Sequence, residues 1–241
     1  MKSTKPLRLT LDIAMTILSI ILMGGNYLFP ADIVHEILGV CLFILWVIHI
    51  VLNRRWYASL AQASKLITST NANDRRSYGA IFKGKYKPYR VMQTIINCCI
   101  LICTIFLMIS GIILSNHIFS FLNIQGGLGF ARIAHLLASH WYYLFMSLHI
   151  GLHVGMIVNK IISQGRTRKI ILYTILALVC AYGIYAFIAR GVWKYLILQQ
   201  QFFFFDLERG YILFAIDYIS IIILFATLSH LLAKSLKKGE L

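Results

Sequence analysis

The apolar positions of this chain fall into long unbroken runs, not into the alternation of a half-buried strand. Six runs stand out: Leu9–Phe29, Ile33–Asn53, Val91–Ser115, Ile133–Asn159, Ile170–Arg190 and Tyr211–Lys234. Crossing the hydrocarbon core of a bilayer takes a helix of about 20 apolar residues, and each run meets that length. Only helices and closed barrels satisfy their backbone hydrogen bonds in lipid, and continuous apolar runs select helices. Pro30 breaks the first run from the second, Pro88 precedes the third, and the glycines of "SNHIFSFLNIQGGLGFAR" mark a loop before the fourth. The fourth run is long, so it is expected to tilt or to begin among the headgroups. The pattern predicts an all-α fold, a polytopic membrane helix bundle of six transmembrane helices. Residues 1–165 are expected to form a four-helix core domain, and residues 166–241 a two-helix C-terminal membrane extension.

Composition agrees with the pattern: of 241 residues, 59% are hydrophobic and only 13% charged, which leaves no material for a separate soluble domain. The net charge of +15 raises the question of nucleic acid, and its distribution answers it. With the N-terminus inside, nineteen Lys and Arg fall in inner segments, nine of them between Arg54 and Arg90. Only Arg132, Arg190, Lys194 and Arg209 fall outside. That is a positive-inside pattern, which places both termini in the cytoplasm of a multi-pass cell-membrane protein and sets the basic segments against anionic lipid headgroups. No nucleic-acid partner is expected. Lys2, Lys5 and Arg8 ahead of an apolar run resemble a secretory signal, but the run has the length of a span and no clear cleavage site near Gly24–Gly25, so it reads as an uncleaved helix. All five cysteines lie inside runs, without a CxxCH or paired CxxC pattern, and read as buried thiols.

Histidine spacing adds chemistry. His35–His49 reads "HEILGVCLFILWVIH" and His135–His149 reads "HLLASHWYYLFMSLH", with imidazoles at both ends of each stretch, fourteen residues apart. Fourteen residues turn a helix through about 1400°, some 40° short of four full turns, so each bracket lies near one face and spans about 21 Å along the axis. The second and fourth spans run in the same direction, so His35 comes opposite His135 near the outer surface and His49 opposite His149 deeper in. Two imidazoles approaching from opposite sides are what a six-coordinate haem iron takes, and bundle cores supply such positions from facing helices. Intramembrane ionisable residues are functional candidates by default. The spacing therefore predicts two bis-histidine b-type haems in a four-helix haem-binding core. Gly39, one turn from His35, leaves room for a flat macrocycle, whereas Gly151 and Gly155 form a small-xxx-small pair that suits helix packing.

The inner ligand on the fourth span is open. His149 and His153 are one turn apart in "HIGLH", and counting from the inner boundary pairs His49 with His153 and His35 with His140. His140 and His153, thirteen apart, lie about 140° off a common face, so facing geometry prefers His135 with His149 and leaves His153 as substitute or second-layer donor. Arg132, one turn before His135, suits haem propionates or headgroups equally. Arg54 and Arg55 read as anchors, and His117 and His230 as interfacial residues. Asp217, inside the sixth run, pairs with Arg209 or water, or relays protons for quinol oxidation.

At this point the chain resembles a family. "DIVHEILGVCLFILWVIHIVLNRRWY", "SGIILSNHIF" and "ARIAHLLASHWYYLFMSLHIGLHVGM" look like the flavinylation-associated cytochrome family over roughly Leu9–Lys160. More distantly, the brackets are similar to those of respiratory cytochrome b and formate dehydrogenase gamma-type subunits. The resemblance implies b-type haem on the histidines of spans two and four, with His35, His49, His135, His149 and His153 on the family's histidine positions. It places His140 where an aromatic residue is common. It also implies electron transfer to extracytoplasmic proteins bearing covalent FMN; no threonine flavinylation motif occurs in this chain, so such a flavin belongs to a partner. Spans five and six, joined by "QQQFFFFDLERG", lie beyond the resemblance, and their connection, with Asp206 and Glu208, reads as an outer interfacial segment.

The resulting expectation is a dihaem membrane cytochrome, an electron-transfer subunit of an oxidoreductase system. It carries electrons between a quinone or cytoplasmic donor and an extracytoplasmic redox partner. Two other classes compete. A metal or proton transporter would want acidic or sulfur ligands beside the histidines and broken helices, and only Cys41 is a candidate neighbour. A haem-free anchor subunit would use the histidines for packing alone.

Overall fold

The computed structural model describes residues 5–25, 31–56, 58, 88–155, 158, 165–203 and 210–238. The basic stretch 59–87, Lys2, Pro30, Lys160 and the 204–209 stretch with Asp206, Glu208 and Arg209 lie outside the described residues. The elements are α1 (Lys5–Met23), α2 (Asp32–Leu52), α3 (Pro88–Leu114), a 3₁₀ turn at Ser120–Leu122, α4 (Leu128–His153), α5 (Arg166–Ala189), a short α6 (Val192–Leu196) and α7 (Gly210–Lys238). Among the described residues there is no strand.

Five of these helices are long and apolar enough to cross a membrane: α1, α2, α3, α5 and α7. The sequence pattern predicts six, and the one that falls short in hydropathy is α4. Its 26 residues give it about 39 Å, ample for a crossing. What lowers its hydropathy is four histidines, Arg132, Ser139 and Ser147. The packing explains how the bundle takes such a helix. α4 is central, sharing long faces with α3 and α7, and buries Ala138, His140, Tyr142, Tyr143, Met146 and Ser147 among others. A helix surrounded by other helices can carry polar groups that a lipid-facing one cannot.

The main core joins Tyr142, Tyr143 and Met146 of α4 to Phe214, Tyr218, Ile221 and Ile222 of α7, with Ala186 of α5 and Val192 of α6. Tyr143 Oη–H donates to the Tyr218 carbonyl across the α4–α7 contact. Two glycines allow that close approach. A Cβ on Gly151 would collide with the Ala226 backbone of α7, and one on Gly183 of α5 would lie 2.6 Å from the Ser220 carbonyl oxygen. Gly155 sits against His230, with 3.1 Å from a built Cβ to its ring. The Gly151/Gly155 pair is thus a packing device for α7.

α2 is the opposite of α4. It has the apolar composition of a span, yet not one of its residues is buried. It packs on α1 and more sparsely on α3, with no comparable face against α4. The first helix also ends earlier than its apolar run predicts: α1 stops at Met23, and Gly25 adopts a left-handed φ of +58°. A glycine there turns the chain without the steric penalty of a side chain. Between α3 and α4 the loop closes through Asn123 and Gly127, both left-handed, with Gly127 preceding the first turn of α4.

Candidate functional site

The helices α2 and α4 bring the two histidine brackets face to face. The rings of His35 and His135 have their centroids 6.3 Å apart with planes at 60°. Those of His49 and His149 are 6.4 Å apart with planes at 74°. Both pairs are edge-to-face, and neither is stacked. For comparison, two metal–nitrogen bonds of about 2.0 Å, plus about 1.1 Å from each nitrogen to its ring centre, separate the centroids of two imidazoles on one iron by about 6.2 Å. Both separations are close to that value and also lie within the roughly 4.5–7 Å range of ordinary edge-to-face ring pairs.

Three of the four rings are held by their other nitrogen. His135 Nδ1 lies 3.0 Å from Ser110 Oγ, whose own hydrogen goes to the Phe106 carbonyl at 2.6 Å, so the serine accepts from His135. His149 Nδ1–H donates to Asn97 Oδ1 at 2.8 Å. His49 Nδ1–H donates to Asp12 Oδ1, also at 2.8 Å. An acceptor on Nδ1 fixes the tautomer and leaves the Nε2 lone pair for a metal, the arrangement that metal-ligating histidines usually show. His49 differs in one respect: Asn53 Nδ2 donates to its carbonyl at 2.9 Å and to its Nε2 at 3.3 Å, so this lone pair meets a metal only once Asn53 gives up the second bond. Ser110, Asn97 and Asp12 were not singled out from sequence. Asp12 and Asn97 are visible there as polar residues inside apolar runs, but nothing in a single chain says which histidine they reach.

The His35–His135 end opens on a cavity of about 510 Å³ between α1, α2, α3 and α4. Cofactor pockets usually run from about 300 to 1,000 Å³. Gly39, Gly111 and Arg132 line it together with the two histidines. A Cβ on Gly39 would meet nothing of the protein within 4 Å, and one on Gly111 would lie 3.7 Å from the His135 ring. Space beside Gly39 is thus open to the cavity and not filled by a neighbouring helix. Arg132 is exposed at the cavity wall. His49 and His149 are not part of that wall.

Glu36, next to His35, clamps the loop between α3 and α4. Its carboxylate accepts from Ser115 Oγ at 2.6 Å and from the backbone N–H groups of Asn116 and Ile118, each at 2.8 Å, with His117 N at 3.3 Å. The donors belong to the segment following α3, so Glu36 ties α2 to α3 beside the first histidine pair.

The remaining sequence candidates find other places. His153 is exposed, its ring 4.8 Å from that of His149. His140 is 1% exposed, donates from Nδ1 to the Leu136 carbonyl at 2.8 Å, and stacks on Tyr195 with centroids 4.2 Å apart. The structure does not bring it opposite His35. Asp217 is 1% exposed and accepts from Arg190 Nε at 2.7 Å and Tyr182 Oη at 2.6 Å. Its described partners are therefore on α5 and at the residue that follows it, which makes Asp217 a link between the end of α5 and α7. Among the described residues no group of three or more His, Cys, Asp and Glu side chains is placed to hold a metal ion. No family model, curated protein or solved structure matches the chain.

Proposed function

We propose that this chain is a dihaem b-type membrane cytochrome, with one haem held by His35 and His135 and the other by His49 and His149. The observation that carries the reading is the equal ring spacing, 6.3 and 6.4 Å, at the two ends of one helix pair. A packing role for four histidines would not by itself give three of the four rings an Nδ1 partner on a neighbouring helix. Nor would it explain why α2 stands off α4 without burying a residue.

Bound haem supplies reversible one-electron exchange at its iron. The protein's residues supply everything else. His35, His135, His49 and His149 would hold the haem irons through Nε2, while Ser110, Asn97 and Asp12 orient three of the rings from behind. Gly39 leaves space for the macrocycle, and Arg132 on the same wall would supply a positive charge for a propionate. Successive ligands on one helix are about 21 Å apart along the axis, which spreads the two sites over most of the bilayer core.

In this reading α4 is the sixth span, its polar groups turned toward its neighbours and not toward lipid. The bias of Lys and Arg places both termini in the cytoplasm of a cell-membrane protein, with the His35–His135 pair toward the outer face. Electrons pass between a quinone or cytoplasmic donor and an extracytoplasmic acceptor. The resemblance to the flavinylation-associated cytochrome family favours an FMN-bearing protein as that acceptor. The test is the dithionite-reduced minus oxidised visible spectrum of the purified protein, with haem counted per chain. Two haems are expected. No haem band overturns the proposal, and one haem per chain overturns the pairing at both ends.

A further inference from the structure

The two pairs share a ring spacing but not the group behind the ring. Behind His49 stands a carboxylate, Asp12 Oδ1 at 2.8 Å. Behind His135 stands a neutral hydroxyl and behind His149 a neutral amide oxygen. Among the described residues no carboxylate bonds to the ring of His35 or His135. Glu36 and Asp32 do line the first cavity, but Glu36 is committed to the donors at Ser115–Ile118, and Arg132 on the same wall opposes their charge.

We propose that Asp12 is a positioning residue that makes the His49–His149 site the lower-potential of the two, so that electrons run from the cytoplasmic side outward. The inference rests on the dihaem reading. A carboxylate that accepts the Nδ1 proton raises the electron density of the imidazole, and a more basic ligand favours ferric over ferrous iron. A hydroxyl or amide oxygen in the same position does so less. The contact also crosses between helices, from α1 to α2, so the first helix sets the property of a site whose ligands it does not supply. No atom is transferred in this account; the carboxylate acts only through the hydrogen bond.

The experiment is a spectroelectrochemical titration of the purified full-length chain, wild type against Asp12→Asn and Asp12→Glu. Asparagine keeps an oxygen acceptor of the same size and removes the charge. The expected result is an upward shift of the lower midpoint alone in Asp12→Asn, with Asp12→Glu returning it toward wild type. In a His135→Ala background, where only the second site is left, the remaining midpoint should show the same rise on Asp12→Asn. A shift confined to the higher midpoint, or no shift with both haems in place, overturns the proposal. So does loss of one haem in both Asp12 variants, which would make Asp12 a mere anchor of the helix pair. Absence of haem from the wild type is a different failure, that of the dihaem reading itself.

Discussion

The His35–His135 and His49–His149 ends of the same helix pair have nearly equal ring separations and quite different surroundings. The first faces a cavity of about 510 Å³, with glycine on both flanking helices and an acidic clamp on the neighbouring loop. The second is braced by hydrogen bonds from α1 and α3 and has a further imidazole, His153, beside it. The equality comes from helix geometry, since two fourteen-residue brackets on two parallel helices must repeat the same gap. The inequality comes from neighbours. Two histidine pairs built on one geometric rule thus differ through the helices that contribute neither ring.

The largest effect expected from breaking this comparison is loss of a whole site. His135→Ala should lower haem from two per chain to one, and His149→Ala should do the same at the other end, the two variants keeping different residual spectra. Next in size is Gly39→Leu. A side chain there meets no protein atom at Cβ, so the helix itself tolerates the change and gains up to about 1 kcal/mol in backbone propensity. Haem content should nevertheless fall to one per chain, because the leucine projects into the cavity. Two haems retained in Gly39→Leu would show that the cavity is not the binding space.

Asn97→Ala should act more weakly and only on the second site. Removing the partner of a ligand's free N–H typically lowers metal affinity about 10–100-fold, and haem competition or loss kinetics would read that change. Glu36→Gln tests the first site's frame in another way. Replacing the charge-assisted bonds to the Ser115–Ile118 segment with neutral ones should lower unfolding free energy by about 1–2 kcal/mol, measured as a lower thermal midpoint in detergent. On the dihaem reading, the haem at His35–His135 should be lost at lower temperature than the one at His49–His149.

The contrast between α2 and α4 shows how far such a site can be read from a single chain. The apolar run of α2 and the face shared by His35 and His49 follow from hydropathy and turn counting alone. So does the bracket on α4. The difficulty is that α4 is too polar to count as a span by hydropathy, and only its central position between α3 and α7 explains why. Hydropathy measures what lipid tolerates, not what a bundle interior tolerates. The braces were less legible still. Asp12, Asn97 and Ser110 lie on α1 and α3, and a helical face says nothing about which neighbour it meets. Asp217 shows the same limit: its described partners, Tyr182 of α5 and Arg190 just after it, are 35 and 27 positions earlier in the chain.

The smallest effect, and the sharpest test of the pairing, belongs to His153. Depth counted along the sequence sets it level with His49, whereas the structure sets the His149 ring across from His49 at 6.4 Å. His153 is one turn further on, exposed, and 4.8 Å from His149. A ring in that place can fill space beside a ligand or exchange protons with water, and neither role is needed to hold iron. His153→Ala should therefore keep two haems per chain, with at most a small change in the spectrum of the second. If instead His153→Ala lost a haem while His149→Ala kept both, the second pair would be His49 with His153. The match in ring spacing between the two ends would then be a property of neighbouring helices and not of two ligand sets.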